Sequence, residues 1–226
     1  MIVLFVPFYP FKLVKKLVFF LLNKFVFVYL KIAFDDIGGV PIVGIRLFNV
    51  RISLKGQSTL EARELRLRIN LWRILLLRRP TVDPVTLFEP KIFIVKEKEQ
   101  GDVWFLLPFT VAKKVVGLLF SSLWGLNKVR IHNGEITIHG TKGDTTISNL
   151  NGLFYSLGAG TSVRFLSCRI GEGSIEMSPM SNEVTSDIKV TIRGLHLNDL
   201  VALKIPKTLT GIADIDATMK GGFGPV

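Results

Sequence analysis

A single cysteine, Cys168, stands among 226 residues, so no intrachain disulfide can form and the redox compartment is left open. A lone cysteine in an alternating stretch is expected to be a small buried hydrophobe. Histidine is nearly as scarce. His132, His139 and His196 are scattered, and no acidic or cysteine partner sits near them at metal-ligand spacing. No G-x-S-x-G elbow accompanies the serines. "GTKGDTT" (140–146) lacks the glycine and lysine spacing of a phosphate loop, and the glycines at 158–160 read as a turn. Asp214 and Asp216 fall on one side of a strand, where they read as a solvated face rather than an acid–base pair. These absences leave no catalytic site and no cofactor motif, so the expectation is a protein that is not an enzyme.

Acidic residues are also few, 18 against 29 lysines and arginines, which gives a net charge of +11. Much of the excess lies in two places: the N-terminal segment, with five lysines and no acid, and Arg63–Arg79, with six arginines against one glutamate. Such a balance suggests nucleic acid. Here the arginines alternate with leucines, and neither a recognition helix nor a base-stacking aromatic motif accompanies them. The expectation is therefore no nucleic acid, and a wet sheet face beside anionic lipid.

Apolar residues, by contrast, are plentiful. They make up 48% of the chain, and mean hydropathy is +0.41, with much of the excess in the first 34 residues. From Leu17 to Phe34 there are 18 residues interrupted only by Asn23, Lys24 and Lys31 among the polar types, about the minimum for a membrane span. Each apolar residue favours insertion by roughly 0.3–0.6 kcal/mol and a central lysine takes back about 2.5–3.5. The lysines also gather on one side of a helical wheel, the pattern of a helix lying in the interface. We expect a span, with residues 1–36 as anchor. Lys12, Lys15 and Lys16 before it and Asp35 and Asp36 after it put the N-terminus in the cytoplasm and residues 37–226 outside.

Beyond the anchor the chain reads as strand after strand. In "ELRLRINL", Leu65, Leu67, Ile69 and Leu71 share one face, and Glu64, Arg66, Arg68 and Asn70 share the other. Pro84 and Pro90 mark bulges or a sheet edge in the stretch that follows. "LWRILLLRRP" (71–80) predicts a short helix or turn, residues 109–124 a helix, and "NDLVALKIP" a helical turn. "NKVRIHNGEITIHG" predicts two short strands around Asn133-Gly134, because a type I′ turn needs φ > 0 at both central residues. That hairpin would set His132 and His139 on opposite faces. "RIHNGEITI" (130–138) and "RIGEGSIEM" (169–177) share a pattern that reads as a weak internal repeat. Short strands without a βαβ rhythm predict an antiparallel sheet of many strands, with a C-terminal edge near Thr208–Met219.

The order of these pieces resembles the N-terminal part of the AsmA-like family of Gram-negative envelope proteins. The membrane segment is followed by "IRLFNVRISL", then by "LEARELRLRINLWRILLLRRPTVDPVTLFEPKIFIVKEKEQGDVWFLLP". "VRIHNGEITI" is similar to the family's recurrent strand pair, and "IRGLHLNDLVALKIPKTLTGIADIDATMKGGFG" to its glycine-spaced repeat. Family members usually continue well beyond "GGFGPV", so the resemblance implies a longer native chain.

The resemblance also implies a mainly β fold, an elongated, curved antiparallel sheet with one or two short helices and an open apolar groove. Such a protein would be anchored in the inner membrane with its bulk in the periplasm. It would carry phospholipid between the inner and outer membranes, its partners being acyl chains and an envelope protein at the far end. The groove candidates are Leu65, Leu67, Ile69, Leu71, Ile92, Ile94, Val129, Ile131, Ile136, Ile138, Ile188, Val190 and Ile192. The competing expectation is a structural or assembly factor that docks to another protein by edge pairing and carries nothing.

Overall fold

The computed structural model describes residues 31–40, 44–53, 59–69, 82–95, 116–117, 126–140, 143–157, 160–179, 188–200 and 210–219. They form one sheet of eleven strands: β1 (Lys31–Ala33), β2 (Asp36–Val40), β3 (Gly44–Ser53), β4 (Thr59–Ile69), β5 (Val82–Val95), β6 (Lys128–Gly140), β7 (Gly143–Leu157), β8 (Gly160–Ile170), β9 (Gly173–Pro179), β10 (Ile188–His196) and β11 (Ile212–Met219). From β3 onward each strand pairs with the next in sequence, while β1 and β2 both pair with β3. Among the described residues β11 pairs only with β10, and the sheet does not close. The many-stranded, mainly β expectation holds, and so does the C-terminal edge.

One pairing departs from the antiparallel expectation. β5 and β6 run parallel, with Leu87 opposite Ile131 and Ile92 opposite Ile136. Parallel neighbours need a crossover, and residues 96–127 supply it. Val116, in helical conformation beside Gly117, is buried in the same apolar cluster as the strands, and so is Leu126. The rest of the helix expected at 109–124 lies outside the described residues, as does "LWRILLLRRP". A 3-10 turn at Leu197–Asp199 bears out the start of the helical turn expected there.

The Asn133-Gly134 hairpin is corrected. β6 is a single strand running straight through it. Asn133 does take positive φ, at 51°, but as an extra residue in the strand rather than as a turn. Buried residues at Val129 and Ile131 give way after two outward residues to buried Gly134, Ile136 and Ile138. His132 and His139 therefore share the outer face, because the step reverses the phase of the alternation. The supposed repeat dissolves for the same reason. "RIGEGSIEM" is a true hairpin, with Ile170 opposite Gly173 and positive φ at Gly171, the place of glycine in a type II′ turn.

The same phase step recurs along a row. It lies at Phe48–Asn49, Arg63–Glu64, Phe88–Glu89, His132–Asn133 and Ser148–Asn149. Phe48 faces Glu64, Glu64 faces Phe88 and Phe88 faces His132, so the steps lie side by side. Asn49, Glu89, Asn133 and Asn149 all hold φ near +50°, the left-handed region that asparagine tolerates better than most residues. Because the steps are aligned, register runs through them unbroken from β3 to β6 and shifts only beside β7, so the strands change phase together along one crease. Arg63 bridges to Glu89 at 2.7 Å, and the Asn133 amide donates to Asn151 Oδ1 at 3.0 Å. Of the two prolines expected at bulges or an edge, Pro84 lies at a register shift, where β5 spans Val82 to Val85 against Leu67 to Ile69 of β4, while at Pro90 the register is continuous.

The membrane segment also needs correction at its C-terminal end. Lys31–Ala33 pair with Arg51–Ser53 as a strand, and Ile32 is buried in the core. The sheet thus begins inside the apolar run that the sequence assigned to a span, and residues 1–30 lie outside the described residues. Among the described residues no helix is long and apolar enough to cross a membrane.

Candidate functional site

The two faces of the sheet are chemically distinct, as the alternation in β4 predicts. The inner face gathers the groove candidates. Leu65, Leu67, Ile92, Val129, Ile131, Ile136, Ile138, Ile188, Val190 and Ile192 join one cluster, none more than 8% exposed. Ile69 lies in β4 opposite Val82 and Ile94 lies in β5 opposite Ile138, but their side chains are outside the description, and Leu71 is outside the described residues. Sequence reasoning missed much of this face, including Leu47, Val50, Leu60, Ile147, Phe154 and Met177. Their alternation is legible once the phase step is admitted. Cys168 belongs to the cluster as expected, and burial pushes its thiol up to about 12, which makes it inert as a nucleophile.

Coverage of this face is uneven. Across β3 to β10 it is packed shut, with Val116, Leu126 and Leu200 adding to the cluster. At β11 it is not. Ala213, Ile215 and Ala217 pack against the core yet stay only partly buried.

The outer face carries the charge. Arg66 lies over the Phe88 ring, 4.1 Å from its centre, and that ring stacks on His132 at 5.2 Å. Partial burial, and then Arg130 and Arg66, hold His132 below its usual pKa. His139 reaches Asp144 across the β6–β7 hairpin at 2.9 Å, a partner that spacing alone did not reveal. Asp214 and Asp216 do share a face, where each has a structural partner. The Gly194 amide donates to Asp214 Oδ1 at 2.7 Å, holding the bulge of β10. Asp216 pairs with Arg193 and accepts from Thr191, and those hydrogen bonds hold its carboxyl below the usual range. Among the described residues no three His, Cys, Asp or Glu side chains converge as metal ligands would.

No protein-family model matches the chain, and no curated protein is similar enough to count as a relative. The likeness to the AsmA-like family therefore rests on the motifs quoted above.

Proposed function

We propose that this is a non-catalytic, membrane-associated protein that takes phospholipid acyl chains on the apolar face of its open sheet, in the service of lipid movement between envelope membranes. The observation that carries the reading is the end of the sheet. The apolar face continues onto β11, beyond which no described strand follows, and leaves Ile215 and its alanine neighbours half-covered. An apolar face that ends half-open on an edge strand needs an occupant. Acyl chains at β11 require no rearrangement. Between β3 and β10 they would have to displace side chains that are now buried, Val116 among them.

Attachment to the membrane takes a different form from the expected span. The apolar run left ahead of β1, residues 17–30, is shorter than the roughly 20 residues of a crossing helix. Its one-sided lysines suit the interface. A helix in the interface does not itself set the side, so the periplasmic surface of the inner membrane rests on the resemblance alone. Protease added to sealed vesicles tests the side: digestion only from the cytoplasmic side contradicts it.

Lipid extraction from the full chain, purified and exchanged into a lipid-free detergent, tests the function. Retained phospholipid supports the reading, and lipid-free protein with an unchanged melt argues against it. The second reading, docking of a partner strand along β11, is favoured by the same edge, which no described strand covers. It predicts a stable protein complex with no lipid.

A further inference from the structure

The polar face holds a pocket that the lipid-tail reading does not use. It lies where the β2–β3 hairpin meets β4 and β5, has a volume of about 350 Å³, and is lined by Arg46, Arg66 and Arg68 together with Pro84, Thr86 and Gly39. Register explains the convergence. Arg46 is directly opposite Arg66 across β3 and β4, and Arg66 is opposite Thr86 across β4 and β5. Arg68 follows two residues along on the same face. The hairpin wall is close because Gly39 has no side chain: a Cβ there would collide with the Gly44 carbonyl oxygen.

Like charges placed directly opposite on a sheet repel, and this arrangement is only partly compensated. Glu64, 7% exposed, accepts from Arg66 Nε at 2.6 Å and from Nη2 at 3.3 Å, and lies 3.8 Å from Arg46 Nε. Glu64 thereby fixes the Arg66 guanidinium against the Phe88 ring. One carboxylate serves two arginines. Among the described residues no ion pair involves Arg68. Among the described side chains, three guanidinium groups meet one carboxylate, an excess of positive charge beside a pocket that also offers the Thr86 hydroxyl.

We propose that this pocket binds the phosphate group of a phosphate ester, held by Arg46 and Arg68 with Arg66 pre-oriented by Glu64. Planar guanidinium forks match phosphate oxygens in pairs, with a geometry that lysine cannot reproduce. The group can come from a phospholipid headgroup or from a soluble phosphate ester, since the recognising chemistry is the same. The proposal stands on the pocket and not on the reading of the apolar face, so either can fail alone.

The test is calorimetric titration of the full chain in neutral detergent with glycerol 3-phosphate and with inorganic phosphate. Beside it goes flotation with phosphatidylcholine vesicles, with and without phosphatidylglycerol. Arg68→Ala removes an exposed side chain with no ion pair among the described residues, and Arg46→Lys keeps the charge but loses the fork. Arg169→Ala, exposed on β8, makes the same charge change as Arg68→Ala away from the pocket. Losing a charge-assisted contact is expected to weaken binding about tenfold or more in Arg68→Ala. Arg46→Lys should show a smaller loss and Arg169→Ala none. Saturable binding of the soluble anions with this pattern assigns a phosphate-ester site. The same pattern seen only with the anionic vesicles assigns a headgroup site. Equal loss in Arg68→Ala and Arg169→Ala, or binding of no probe, overturns the proposal.

Discussion

Leu67 on β4 and Ile215 on β11 occupy the same apolar face of the same sheet, and both come from strictly alternating stretches. Leu67 is fully buried, whereas Ile215 is only partly covered. The difference lies in what each strand has around it. β4 has β3 and β5 on its two sides and sits within the creased part of the sheet, beneath a shared cluster that includes Val116. β11 has β10 on one side and no described strand on the other. Alternation determines which side chains share a face, but coverage is decided by segments that lie far away in sequence.

The largest expected effect sharpens this contrast. Leu67→Glu puts a carboxylate into a packed cluster and should cost about 4 kcal/mol or more, enough to unfold a domain of ordinary stability. Ile215→Glu, on the edge, should cost less than about 1 kcal/mol, because water reaches the new carboxylate. Thermal melting of the two variants checks the pair. A native-like melt for Leu67→Glu would break the comparison, since it would mean that the face at β4 is open as well.

The crease is next in magnitude. Asn133 holds φ at 51°, and a β-branched side chain there is strained. Asn133→Val should cost about 1–2 kcal/mol, whereas Asn133→Gly should stay within about 0.5 kcal/mol. Denaturant titration distinguishes them. Equal effects of the two substitutions would show that the row of left-handed residues does not hold the sheet's shape.

The smallest effect concerns pH. His132 has a folded-state pKa below its ordinary value near 6.5, through burial first and Arg130 and Arg66 second. The neutral ring is therefore favoured in the folded state. Its contribution is fully present above about pH 6.5 and is lost as pH falls from there through the folded pKa. His132→Gln should flatten the stability profile between pH 7 and pH 5, measured by melting. A steeper profile in the variant would contradict the assignment.

Much of the inner face was legible because Leu65 and Leu67, or Ile136 and Ile138, alternate over several residues. The hairpin misread at Asn133 has a physical cause. The step in β6 and a type I′ turn both hold a residue at positive φ, and asparagine supplies it in either. What separates them is pairing with β5 on one side and β7 on the other, which no local pattern contains. The parallel β5–β6 contact was hidden for a similar reason: a helix could be read at 109–124, but the direction of the strand after it is decided by pairing, which no local pattern contains. The outer pocket was half visible. Arg66 and Arg68 stood out as an alternating basic strand, but Arg46 and Thr86 join them only through register.

The most direct test of the lipid reading is site-specific photo-cross-linking in cells. A photoreactive side chain replaces Ile215 on the inner face of β11 in one variant and Asp214, next to it on the outer face, in another. The account predicts phospholipid adducts at Ile215, recovered on the purified full chain, and few at Asp214. Absence of lipid adducts at Ile215, or equal yields at the two positions, would contradict it.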